Sequence, residues 1–369
     1  MFVWHRLRKT ALAATLAAGC AGPQAALAAS SVTITGYFKL SYEYVKVSGK
    51  PGTDSQDRIA DDRSRIYFRV AEDLGGGLQA IGQVDWRLTM DSGGDAANGN
   101  NYVGLRSRTW GTARIGRWEL HYKYGRGRID GKGSYKSRND ALLGFAGGGG
   151  TAIAAVSRTP NVIFYNLPDL NGFNLELAYS TNTGTSEADL GSTSRRGEAW
   201  NIRPYYRSKN FEIGYSYWKS EPDNPGAASV DQRGDRVWGH HRWNNFYFGA
   251  AWDRSTLENS LTGARTSRRD AWSIPLWVQA GRHGFHLEYS EARADDETAV
   301  DDGARMIAVG YSYALSRRTS AALTYARIKN DAGAFYNLIG NAGAQGSPDA
   351  AVAPGEDPSI IAVTLKLSF

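Results

Sequence analysis

The sequence predicts an all-β protein, a transmembrane antiparallel β-barrel of sixteen strands, and three observations support this prediction. First, sixteen segments alternate apolar and polar side chains, as strands with one apolar face do. Second, short and long connections alternate between these segments, which is typical of a barrel with short periplasmic turns and long extracellular loops. Third, one face of the segments carries large apolar side chains and the other carries charges, which suits a wall between lipid and water.

Residues 1–28 have the pattern of a signal peptide that is removed after export. Basic residues at the start precede a long apolar stretch, and Ala26-Leu27-Ala28 forms an A-x-A cleavage signal before Ala29. A lipoprotein signal acylated at Cys20 is the alternative, but Ala17 occupies the position where that pattern has leucine. Either signal predicts an exported chain, with residues 29–369 forming one barrel domain.

The charge and the cysteine content exclude some classes of function. The whole chain has a formal net charge of +6, and loss of Arg6, Arg8 and Lys9 with the signal lowers it to +3. We therefore expect no nucleic acid partner. The single cysteine lies in the signal, so disulfides are not expected to stabilise the barrel.

The strands begin with "VTITGYFKLSYEY" at 32–44 and end with "SIIAVTLKLSF" at 359–369. In the last strand the apolar side chains fall on every second position up to Phe369. Because an open sheet edge cannot be hydrogen-bonded in lipid, we expect the first and last strands to pair. The predicted long loops are 48–62, 89–100, 118–160, 181–198, 220–234, 255–267, 293–303 and 329–358.

A large soluble β protein, such as a sandwich or a propeller, is the alternative fold because it also has short alternating strands. Its exterior should be polar throughout, whereas these segments place rows such as Phe211, Ile213, Tyr215 and Tyr217 on one face. The barrel interpretation accounts for this inversion, since its apolar face contacts lipid.

Five stretches resemble the general porins of Gram-negative bacteria, in particular those of the beta-proteobacterial and neisserial type. They are "SSVTITGYFKLSYEY" (30–44), "SRIYFRVAEDLGGGLQAIGQVD" (64–85), "NNYVGLRSRTWGTARIGRWELHY" (100–122), "RTPNVIFYNLPDLNGFNLELAYS" (158–180) and "TLKLSF" (364–369). The resemblance implies a homotrimeric outer-membrane channel for passive diffusion of small hydrophilic solutes and ions, surrounded by lipid and lipopolysaccharide. It also implies that the third loop folds into the lumen and that Phe369 is a signal for the barrel assembly machinery.

The predicted pore constriction combines this loop, residues 118–160, with a basic wall. Strand alternation turns Arg65, Arg69 and Arg114 inward, and Lys39 and Arg87 are further candidates. Six basic and three acidic residues occur in the loop, among them Arg126, Arg128, Asp130, Lys132, Lys136, Arg138 and Asp140. Charged rings at a constriction select ions by sign, so we expect a moderate anion preference. The alternative is that the loop charges are solvated and lie away from the pore.

No catalytic, cofactor or nucleotide site is expected. The segment "GRGRIDGKGS" lacks the spacing of a phosphate loop, and no G-x-S-x-G nucleophile motif occurs. A weak candidate site for Ca²⁺ or Mg²⁺ is the acidic loop with Asp295, Asp296, Asp301 and Asp302, whose alternative role is a solubilising surface. Two alternative functions stay open: a channel specific for an anionic solute, and a non-conducting structural or adhesin barrel.

Overall fold

The computed structural model describes residues 30–49, 54–120, 133–134, 138, 141–149, 151–152, 158–183, 196–223, 230–338 and 352–369. The first half of this described chain contains strands β1 Ser31–Ser48, β2 Asp54–Asp61, β3 Arg65–Gly75, β4 Leu78–Leu88, β5 Asp95–Ala96, β6 Asn101–Ser107, β7 Gly111–Trp118, β8 Phe145–Ala146, β9 Thr151–Ala152, β10 Thr159–Asn166 and β11 Phe173–Ser180. The second half contains β12 Arg196–Arg207, β13 Phe211–Asp223, β14 Val230–Trp243, β15 Phe246–Asn259, β16 Arg265–Ala280, β17 His283–Ala292, β18 Ala304–Ala314, β19 Thr319–Asn330 and β20 Asp357–Ser368. A short 3₁₀ turn occupies Gly147–Gly149. Within these residues, no helix is long and apolar enough to cross a membrane.

Eighteen strands form one antiparallel sheet, and β8 with β9 forms a separate small hairpin. Two crossings of the sheet are interrupted: β2 and β3 both pair with β1, and β5 and β6 both pair with β4. Counting each interrupted crossing once leaves sixteen spanning strands, so the predicted strand number is confirmed.

The sheet closes on itself because β1 has a partner on each side. Tyr37 lies opposite Arg65 of β3 on one edge and opposite Ser368 of β20 on the other. Phe369 continues this seam: its N–H donates to the Gly36 carbonyl and the Gly36 N–H donates to its carbonyl, both at 3.1 Å. A closed sheet leaves no unpaired edge in lipid, which confirms the expected pairing of the first and last strands.

The outward face is apolar along the strands. In β20, Ile361, Val363, Leu365 and Leu367 are each about half exposed on the outside of the barrel, and the residues between them point inward. Such a row is stable only against hydrocarbon, so the register places the lipid-facing side where the alternation predicted it.

Several strands extend further than predicted, and the predicted loops 48–62 and 255–267 are wrong in most of their length. β2 lies within the first, while β15 and β16 continue into the second and leave only residues 260–264 between them. Cross-strand ion pairs hold these extensions, with Arg58 Nε 2.9 Å from Glu43 Oε2 and Arg254 Nε 2.7 Å from Asp270 Oδ1. Charged pairs stabilise a ladder without any apolar alternation, and for this reason the periodicity did not reveal them.

The inward face is not polar throughout, which corrects the expectation that it lines water everywhere. On β15 to β20 the inward positions carry buried small or apolar side chains instead of charges. These are Ala251, Ala271, Ala292, Ala304, Met306, Ala308, Ala326, Ile328, Ile360 and Ala362, here called the alanine wall. They are buried because part of the chain after β7 packs against them.

Candidate functional site

The described part of 118–160 after Arg138 lies against the alanine wall. Leu142, Leu143 and Phe145 are almost completely buried there. The Gly144 N–H donates to Asp253 Oδ1 at 2.7 Å, and Asp253 is an inward residue of β15. The small alanine side chains leave room for the three large ones, so sequence positions that had no polar function form the docking surface.

A second segment, residues 331–338, covers the first. The Phe335 N–H donates to the Gly148 carbonyl at 3.0 Å, and the Tyr336 ring meets the Phe145 ring edge-on at 6.3 Å. The Arg269 guanidinium lies 4.8 Å from the centre of the Tyr336 ring. The polar sequence of the predicted loop 329–358 gave no sign of this contact, because Tyr336 stands alone without periodicity.

Lys39 anchors the loop from the other side. Its Nζ lies 3.0 Å from Asp62 Oδ2 and also donates to the carbonyl of Gly133. Both Lys39 and Asp62 are buried. The charge of Lys39 is therefore neutralised in a loop contact, which makes this residue an anchor for the described loop.

Arg65 and Arg87 share one carboxylate on the inward face. Arg65 Nη1 is 3.4 Å from Asp85 Oδ2, and Arg87 Nε is 3.1 Å from Asp85 Oδ1. The Asn100 N–H also donates to Asp85 at 3.1 Å, and the Arg65 guanidinium lies 5.3 Å from the Tyr37 ring. Two guanidiniums on a single carboxylate give a buried unit with excess positive charge.

Arg69 faces the lumen with neutral partners. Its Nε donates to Gln83 Oε1 and its Nη1 donates to Thr35 Oγ1, each at 2.8 Å. The guanidinium carbon lies 4.4 Å from the centre of the Tyr67 ring. Because the side chain is half-buried and these partners carry no charge, its positive charge acts on the water-filled side.

Arg114 belongs to a separate group nearer the short-turn end of the barrel, three residues after the start of β7. Its Nη1 donates to Asn166 Oδ1 at 2.6 Å. The guanidinium carbon lies 5.1 Å from the Tyr102 ring, 5.1 Å from the Phe164 ring and 5.8 Å from the Trp118 ring. It is held in place by aromatic faces and a neutral amide, and it is also half-buried.

The remaining predicted loop residues are only partly within reach. Arg126, Arg128, Asp130, Lys132, Lys136 and Asp140 lie outside the described residues. Arg138 is described, and its carbonyl accepts a hydrogen bond of 3.3 Å from the Ala141 N–H. Sequence reasoning missed Arg158, whose Nη2 is 2.6 Å from Glu119 Oε1 and whose Nε donates to Asn100. A single arginine before a strand carries no periodic signal.

The acidic loop uses its carboxylates within the protein. Asp295 accepts hydrogen bonds from the Arg268 and Glu297 N–H groups at 2.9 Å, and the Asp295 N–H donates to Asp302 at 2.7 Å. Asp296 lies 3.6 Å from Arg268 Nε in an ion pair, and Asp301 faces Asp331. In the part of the chain that the structure describes, no group of three or more His, Cys, Asp or Glu side chains forms a metal site.

Comparison with known proteins agrees with this architecture. The model of the Gram-negative porin family matches residues 11–333. An outer-membrane porin protein of Bordetella pertussis is 29% identical, covering 85% of this chain and 92% of the relative. The major outer membrane protein P.IB of Neisseria lactamica is 24% identical, covering 89% and 95%.

Solved structures show the same fold. An anion-selective porin from Comamonas acidovorans superposes with a TM-score of 0.74 at 20% identity, covering 92% of this chain and all of that one. OmpF of Salmonella typhi gives a TM-score of 0.64 at 15% identity, covering 91% and 97%. The trimer form of OmpT from Vibrio cholerae gives 0.61 at 14% identity, covering 92% and 100%. The chain therefore belongs to the Gram-negative porin family and is a non-enzymatic outer-membrane porin for passive diffusion.

Proposed function

We propose that the channel prefers anions and that Arg69 and Arg114 carry this preference. The observation that supports the proposal is the contrast among the inward basic residues. Lys39 is paired with Asp62, and Arg65 and Arg87 share Asp85, whereas Arg69 and Arg114 are half-buried and have neutral hydrogen-bond partners. A lumen lined by such charges attracts anions and repels cations. The anion-selective Comamonas porin has the same fold, which is compatible with this proposal.

In this proposal residues 118–160 form the constriction loop. Support comes from its described part, which is anchored at Gly133 and at Leu142 to Phe145, on inward side chains of the opposite wall. Arg65, Arg87 and Lys39 then position the wall and the loop. The loop charges Arg126, Arg128, Asp130, Lys132, Lys136, Arg138 and Asp140 add a positive excess by their sequence alone.

The test is the reversal potential of the protein in a planar bilayer under a KCl gradient. The unaltered channel should favour chloride. The double variant Arg69→Glu with Arg114→Glu should lower the chloride-to-potassium permeability ratio by about fivefold or more, because a unit charge 4 Å from an ion contributes about 1 kcal/mol even in water. The matched control is Arg317→Glu, in an exposed turn after β18, which should leave the ratio unchanged. An unchanged ratio in the double variant would show that the selectivity lies elsewhere.

We further propose that residues 1–28 are a cleaved export signal and that the mature barrel works as a homotrimer in contact with lipopolysaccharide. The trimer form of the related OmpT supports the oligomer only by similarity of fold. Phe369 serves as the recognition signal for the barrel assembly machinery. Its ring lies 5.0 Å from Phe38 at the outer surface of the seam, where an assembly factor could contact it before closure. Mass measurement of the intact mature chain and of the detergent-extracted assembly tests the cleavage site and the trimer.

A further inference from the structure

Six side chains with flat end groups follow one another across the inward faces of β3, β4, β6 and β7. They alternate aromatic rings with guanidinium groups, with one amide between them. The set comprises Tyr67, Arg69, Gln83, Tyr102, Arg114 and Trp118, here called the planar lane.

The register and the contacts make the lane continuous. Arg69 lies opposite Gln83, and Gln83 lies opposite Tyr102, so the three occupy one row of neighbouring strands. Arg69 stacks on Tyr67 at 4.4 Å and donates to Gln83 at 2.8 Å. The next guanidinium, Arg114, lies 5.1 Å from the Tyr102 ring. Neighbouring strands are about 4.8 Å apart, so the lane spans roughly 15 Å of the lumen wall.

These groups are accessible from the lumen. Tyr67, Arg69, Tyr102, Arg114 and Trp118 are half-buried, and strand alternation points all of them inward. Aromatic surface in contact with water is unfavourable, and a wall that served only to attract anions would not need it. Lysine with serine or threonine would supply the charge and the hydration.

We propose that the planar lane binds aromatic carboxylates, such as benzoate, during their passage. This inference rests on the proposed anion preference and names the solute class of that channel. The solute ring stacks against the faces of Tyr102 and Trp118, and its carboxylate accepts paired hydrogen bonds from a guanidinium. Gln83 supplies a polar group between the two cations, so a bound anion passes from Arg114 to Arg69 without leaving the wall.

The opposing explanation is that the rings only hold the guanidiniums in position. The two explanations differ for cyclohexanecarboxylate, which has the charge and nearly the size of benzoate but no aromatic face. If the rings only position Arg69 and Arg114, both acids interact equally with the channel. If the rings bind solute, benzoate binds more tightly by the contribution of one aromatic pair, about two- to tenfold.

The experiment measures block of the chloride current through the refolded protein in planar bilayers, with each acid in turn. We expect half-block at a benzoate concentration about two- to tenfold lower than for cyclohexanecarboxylate. Tyr102→Leu should abolish the difference, and the matched control Tyr325→Leu, an outward residue of β19, should retain it. Arg114→Lys keeps the charge and should also reduce it, because lysine lacks the flat paired donors.

The outcomes separate the two proposals. Equal block by both acids, or no block by either, in a channel that still prefers chloride would overturn the aromatic solute and leave the anion preference intact. A channel without chloride preference would overturn the proposed function itself. Should Tyr102→Leu fail to fold, as shown by equal gel mobility before and after boiling, the comparison of the two acids on the unaltered channel and on Arg114→Lys still decides.

Discussion

Replacing Phe145 by alanine should release the described loop from the alanine wall without unfolding the barrel. The Phe145 side chain is only 1% exposed and packs among Leu142, Leu143 and Tyr336. Truncating a buried phenylalanine to alanine costs about 3–5 kcal/mol. The barrel strands lose no backbone hydrogen bond in this change, so the cost falls mainly on the docking equilibrium of the loop.

The magnitude can be converted into a population. Each 1.4 kcal/mol changes an equilibrium constant by about tenfold, so the ratio of undocked to docked loop should rise by roughly two to three and a half powers of ten. The assay uses a cysteine at Ala141, which is 4% exposed, as the reporter. The only native cysteine, Cys20, lies in the proposed signal, so a water-soluble thiol reagent labels the reporter alone in the mature protein.

In the Ala141→Cys background we expect labelling to be slow, and Phe145→Ala should accelerate it by about a hundredfold or more. The single-channel current should become noisier at the same time. The matched control is Phe248→Ala, an outward phenylalanine of β15 that faces lipid and touches no loop. An unchanged labelling rate in a folded Phe145→Ala variant would refute the reasoning, since it would mean that the alanine wall does not hold the loop.

Three further predictions follow from local contacts. Gly36→Ala should slow barrel assembly, because the added methyl would lie 2.3 Å from a backbone carbonyl of β3, whereas the strand glycine Gly82 has only an ordinary contact of 3.7 Å and Gly82→Ala should assemble normally; the folded fraction on unheated gels measures both. Asp253→Asn should destabilise the barrel by about 3–5 kcal/mol in denaturant unfolding, because it removes a buried carboxylate 2.7 Å from Arg236. Burial and the neighbouring Asp301 raise the pKa of Asp331 above its ordinary value of 3.8, although Arg305 and Lys329 oppose this, so the folded state holds its proton more tightly. Docking of residues 331–338 should therefore strengthen as the pH falls through this raised pKa, and Asp331→Asn should remove the dependence in cysteine labelling at Ala334.

The sequence was sufficient for the elements whose stability depends on lipid. The β20 row was predicted residue by residue, because every second side chain must be apolar to face hydrocarbon. β2 was missed for the opposite reason. Beyond the membrane both faces of a strand are wet, and pairs such as Glu43 with Arg58 hold it together without any periodic signal.

The inward face divides in the same way. Its orientation followed from alternation, so Arg65, Arg69 and Arg114 lie on the expected side. Their partners did not follow, because Asp85 and Asn166 come from other strands at separations of 20 and 52 residues. A formal charge at an inward position therefore predicts little until the structure shows whether its partner is a carboxylate or a neutral amide.

The alanine wall and the planar lane lie on different arcs of the barrel, and this division explains how a channel can hold a loop inside and still offer a reactive surface. Small side chains on β15 to β20 accept Leu142, Leu143 and Phe145 of the loop, which has no need of charge there. The arginines and rings of β3 to β7 are left for the solute. Lys39 stands on β1, between the two arcs, and holds Gly133. A charge placed on the alanine wall would be buried under the loop at high cost, whereas on the lane it remains solvated and available, so the two compositions cannot be exchanged without losing both the loop and the anion path.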